Sequence, residues 1–160
     1  MIRHYHIEAA KDISKIIPIE IVLEFGVGAI STISFLNKEN FPNLKKLITV
    51  EFQKKWVDEI TKLVGCDTRW NMIITKNETI IPDINEKINI VLVDSLTIEG
   101  RIALLTQLNN LNFYDFIILH DSQHASYNSI ISKFMYSYKY SDGIYPEAAI
   151  LSNNKEFKYD

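Results

Sequence analysis

Two hydrophobic rhythms share this chain: short continuous apolar runs, and longer stretches whose apolar positions recur at helical spacing. Ile19–Phe25, Leu47–Glu51, Trp70–Thr75, Ile88–Val93 and Phe113–Leu119 have strand length. The nearly unbroken run Ile88-Asn-Ile-Val-Leu-Val93 predicts a strand covered on both faces. Between these runs, residues 7–17 place Ile7, Ala10, Ile13 and Ile17 near helical spacing, and Pro18 stops the helix. Ser31–Leu36 reads as a second helix. Lys54–Val64 carries Trp56, Ile60 and Leu63 on one stripe, with Gly65 as its stop. Gly100–Asn109 and Tyr127–Tyr138 complete the helices, the latter placing Tyr136 and Tyr138 on a helix surface together with Tyr140 beyond its end. Ala148–Leu151 and Glu156–Tyr159, separated by two asparagines, predict a closing hairpin.

Strands alternating with helices imply an α/β fold, a Rossmann-like three-layer sandwich with a mostly parallel sheet and a C-terminal antiparallel hairpin. A length of 160 residues fits a single domain over 1–160, with 1–17 as a leading helix. Apolar residues at 47% and charged residues at 23% suit a globular protein. A net charge of -3 gives no basic footprint, so no nucleic-acid partner is expected. No apolar run is long enough to span a bilayer, so no membrane is expected either, and the lone Cys66 suits a reducing compartment; cytoplasmic location is the default.

In such sheets ligands sit beyond the carboxyl ends of the strands, so the residues that follow each strand carry the chemistry. The first strand runs into Glu24-Phe-Gly-Val-Gly28, where Gly26 and Gly28 make a tight turn at which a ligand can approach the backbone, and Ser31 opens the next helix. Glu24 would repel a pyrophosphate but suits a ligand bearing an amino group. Glu51 closes the second strand, 25 residues after Gly26, where a carboxylate can accept the hydroxyls of a ribose. The fourth strand ends in Asp94-Ser95 and the fifth in His120-Asp121-Ser122. Capping of the following helix is a second role open to Asp94 and Asp121.

Glu24-x-Gly-x-Gly with Glu51 resembles the class I S-adenosylmethionine-dependent methyltransferases over essentially the whole chain, except that Ile30 stands where a third glycine often does. The resemblance implies that Gly26, Gly28 and Ser31 line the methionine part of the cofactor and that Glu24 holds its amino group directly or through water. It further implies that Glu51 binds the ribose and that Asn77 or Glu78 reaches the adenine, with Asp94 beside the cofactor. Val91-Leu-Val-Asp94, Arg101, Ile117-Ile-Leu-His-Asp121 and Tyr127 are similar to the sugar-directed O-methyltransferases of the glucuronoxylan type. That similarity implies a small-molecule or carbohydrate acceptor.

A sulfonium methyl is already electrophilic, so the protein must align an oxygen and remove a proton. One arrangement uses His120 or His124 as general base. Another has Asp94 and Asp121 share Mg2+ or another divalent cation that acidifies the acceptor hydroxyl. A homodimer or the leading helix would cover the acceptor. Two alternatives stay open: an NAD-dependent oxidoreductase, because a glycine turn plus Glu51 also fits that cofactor, and a non-catalytic binding module.

Overall fold

The computed structural model describes residues 4–141, 143 and 146–158. Seven strands, β1 (Ile21–Phe25), β2 (Lys46–Glu51), β3 (Trp70–Ile74), β4 (Ile88–Val93), β5 (Tyr114–His120), β6 (Tyr136–Tyr140) and β7 (Ala148–Ser152), form one sheet in the order β3-β2-β1-β4-β5-β7-β6. The first five are parallel, and β7 and β6 close the sheet antiparallel. The helices are α1 (Tyr5–Ile16), α2 (Ser31–Leu36), α3 (Lys54–Val64), α4 (Ile98–Leu108) and the single turn α5 (Asn128–Ile131), which a 3-10 turn at Ala125–Tyr127 introduces.

Both faces of the sheet are dry. On one face Ala9, Ala10 and Ile13 of α1 and Phe35 of α2 pack on Val22, Leu47, Ile90, Phe116 and Ile118. On the other, Leu104, Leu105 and Leu108 of α4 and Ile130 of α5 pack on Leu23, Val91, Ile117 and Leu119. This is why Ile90–Val93 of β4 and Phe116–Leu119 of β5 read as apolar runs. Truncating Ile13, which has no exposure, to alanine should cost about 2–5 kcal/mol.

The terminal region differs from the sequence reading. The helix expected over Tyr127–Tyr138 lasts one turn, and Tyr136–Tyr140 is the edge strand β6, paired with β7. Tyr136, Tyr138 and Tyr140 alternate with Ser137 and Lys139, which is the period of a strand, and aromatic residues suit a half-buried pleated surface. The hairpin is therefore β6–β7. Residues 156–158 form no strand; Phe157 packs against Phe116 and Tyr138 instead, and Tyr159 lies outside the described residues.

Candidate functional site

The register of the sheet builds the site. Phe25 pairs with Val50 on one side and Val93 on the other, so the next residues, Gly26, Glu51 and Asp94, meet at the strand ends. Gly26 has φ +91°, and a Cβ there would lie 2.2 Å from the carbonyl oxygen of Asp94. Only glycine allows that approach. Gly28 has no such constraint, since a Cβ would meet only the Ser31 hydroxyl, at 2.9 Å.

Glu24 is fully buried beneath this turn. Its Oε2 accepts hydrogen bonds from the hydroxyls of Thr32 and Thr49, each at 2.8 Å, and Ser31 also faces the carboxyl. Thr32 Oγ1 accepts from the Gly28 amide and Thr49 Oγ1 from the Trp70 indole, so Glu24 anchors the loop from below. Burial, reinforced by nearby Asp94 and opposed by the three hydroxyls, pushes the Glu24 carboxyl up to about 7. Its Oε1 is buried and has no partner among the described residues. With no exposure, Glu24 faces the loop and the neighbouring strand rather than the open cleft.

Glu51 is held from three sides. Oε1 accepts the Phe52 and Gln53 amides, both at 2.7 Å, and Oε2 accepts the Val27 amide at 3.1 Å. A carboxylate has about four acceptor positions, so Oε2 retains one for a ligand hydroxyl. Gly26 and Glu51 line a narrow cleft of about 10 Å³, room for a single water, with Val50, Phe52, Thr75, Glu78, Ser95 and Leu96. Asn77 is outside it: the side chain is exposed and accepts hydrogen bonds from the amide and hydroxyl of Thr79. Glu78 takes the inner position, accepting the Thr97 amide at 3.0 Å, and fills the space in front of Gly100. Ile30 is exposed at 45%, so it does not pack between helix and sheet.

Beyond the cleft, Val93 pairs with Leu119, which brings Asp94 and His120 side by side. His120 Nδ1 and Asp94 Oδ1 lie within hydrogen-bonding distance, at 2.9 Å. The buried Arg101 of α4 reaches across: Nη2 to Asp94 Oδ1 at 3.0 Å, Nη1 to Asp121 Oδ2 at 3.2 Å, and Nε to the Ser95 carbonyl at 2.7 Å. Tyr127, pushed up by burial, faces the same guanidinium. Neither acid caps a helix; Thr97 caps α4. Asp121 instead adopts φ +56°, a left-handed conformation uncommon outside glycine. Asp94, His120 and Asp121 offer ligand atoms within 4.8 Å of one another. The Arg101 guanidinium already spans both carboxylates, however, so the pair does not fit the shared divalent cation expected from sequence. His124 is exposed.

Sequence reading gave His6 no role in this site. It shares a helical face with Ala10 and Ile13, four and seven residues on, and that spacing could have identified it as buried. It is 4% exposed and lies against His120.

No family model and no curated relative matches the sequence. Solved structures do match. The N-methyltransferase NodS from Bradyrhizobium japonicum WM9 superposes with a TM-score of 0.61 at 8% identity, over 91% of this chain and 90% of that one. M. capricolum TrmK, in complex with its natural cofactor product S-adenosylhomocysteine, gives 0.59 at 15% identity, over 100% and 73%. The hMettl16 catalytic domain in complex with MAT2A 3′UTR hairpin 6 gives 0.65 at 8% identity, over 100% and 75%. The chain thus has the Rossmann-like α/β fold of the S-adenosylmethionine-dependent methyltransferases. The last neighbour also overturns the expectation that nucleic acid is excluded. A protein of this fold holds an RNA hairpin, and net charge does not decide the matter because a local basic face suffices. No described helix is long and apolar enough to cross a membrane.

Proposed function

We propose that the chain is an S-adenosylmethionine-dependent methyltransferase acting on a hydroxyl oxygen of a small-molecule or carbohydrate acceptor. The cofactor half rests on the cleft between Gly26 and Glu51. There Glu51 retains an acceptor position, and the buried Oε1 of Glu24 lacks a partner. These features suit a ribose and an ammonium group better than a pyrophosphate, and so favour this cofactor over NAD. The bound cofactor supplies an electrophilic sulfonium methyl. As it stands the cleft holds about one water, far below the roughly 300–1,000 Å³ of typical ligand sites, so Leu96, 63% exposed at its rim, and Glu78 move aside on binding.

The observation that carries the acceptor half is the His120–Asp94 pair. With Asp94 ionised, its carboxylate can only accept, so Nδ1 of His120 carries the proton between them and Nε2 is the nitrogen that would act as base. Nε2 of His120 would take the proton of the acceptor hydroxyl as that oxygen is methylated. Arg101 holds Asp94 in place and offsets part of the local negative charge. An oriented base is needed for a hydroxyl, which is a poor nucleophile until deprotonated.

Radiolabelled methyl transfer from S-adenosylmethionine to a panel of polyols, sugars and phenols tests the reading. Label should appear as a methyl ether and fall about 10²–10⁴-fold in His120→Gln. Label found only on RNA, or on nitrogen, would sink the acceptor assignment.

A further inference from the structure

α1 carries a second histidine into the site. The His6 ring lies 4.4 Å from that of His120, centroid to centroid, with their planes at 78°. His120, Asp94, His4 and Asp121 are the titratable groups that act on it. Burial first, and His120 next, hold its imidazole down to about 3, so it is neutral whenever His120 works as a base. Its Nδ1 is buried and without a partner among the described residues, and such a nitrogen costs stability. His6 therefore contributes a neutral ring packed edge-to-face with the His120 ring, while Asp94 holds the other end through Nδ1.

We infer that His6 is a positioning residue: its ring locks His120 onto Asp94 and so keeps Nε2 unprotonated and directed at the acceptor. This rests on the reading of His120 as general base. Without that packing, the His120 ring is free to turn off Asp94 and take the Nε2–H tautomer common for imidazole in water, which cannot accept the proton.

The test compares His6→Ala, which removes the ring, with His6→Phe, which keeps a ring and drops the orphan nitrogen. The readouts are the His120 tautomer by ¹⁵N NMR, the thermal midpoint, and kcat and KM. Wild type and His6→Phe should show the Nδ1–H tautomer, with the Phe variant melting higher. His6→Ala should show mixed or Nε2–H tautomers and a kcat about tenfold or more below wild type at unchanged cofactor KM. If His6→Ala does not fold, His6→Val, which has no ring, replaces it. A truncated variant with wild-type tautomer and kcat would overturn the inference. The NMR result stands without turnover, so a protein that shows the tautomer change but methylates nothing would instead refute the assigned reaction.

Discussion

Glu24 and Arg101 show how single charges are used here. Burial raises the Glu24 carboxyl from 4.5 to about 7, so the folded chain binds that proton more tightly than the unfolded chain. The contribution of this group to stability is full below about 4.5 and is lost as pH rises through about 7. Glu24→Gln, which never ionises, should therefore exceed wild type at pH 8 by on the order of 1–3 kcal/mol, with the gap shrinking toward pH 5. Urea unfolding at the two pH values measures it; an equal difference at both would refute the burial argument. Arg101 spans two strand ends with a planar fork that lysine cannot reproduce. Arg101→Lys should cost about 2–4 kcal/mol, because it leaves partly buried carboxylates poorly paired.

Among the elements, the turn where Gly26 passes the Asp94 carbonyl, just beyond the paired β1 and β4, tolerates little change. Gly26→Ala combines a positive φ with a backbone clash and should lower the thermal midpoint by roughly 10 °C or more, or prevent folding. Gly28→Ala meets one rotatable hydroxyl and should shift it by only a few degrees. Equal losses at both glycines would mean that the turn as a whole, rather than the approach to the Asp94 carbonyl, sets the requirement. The parallel strands were legible in sequence because both of their faces are buried: Ile88–Val93 is an unmistakable apolar run, and the structure places β4 over those same residues. β6 was not, because Ile130 and Phe134 extend a helical spacing into it while its own alternation rests on three tyrosines. Tyr140 also ties β6 to α1 through a hydrogen bond to the buried Asp12, a link between distant segments that no local pattern shows.

For the whole molecule, strand order turns scattered acids into two adjoining regions. Spacing placed Gly26, Glu51, Asp94, His120 and Asp121 at strand ends, and the structure has each of them at or just beyond one. What spacing could not give was contact across the fold: Arg101 lying between two carboxylates, Glu78 rather than Asn77 lining the cleft, and His6 reaching His120 from the opposite end of the chain. The same limit explains why net charge misjudged nucleic acid, since a total carries no information about where charges stand. Cofactor identity underlies every later step. Calorimetric titration with S-adenosylhomocysteine, run beside NAD, addresses it directly. One-to-one binding of S-adenosylhomocysteine, weakened about tenfold or more in Glu51→Ala, is the expected outcome. Heat with NAD and none with S-adenosylhomocysteine would show that the cleft serves a different ligand.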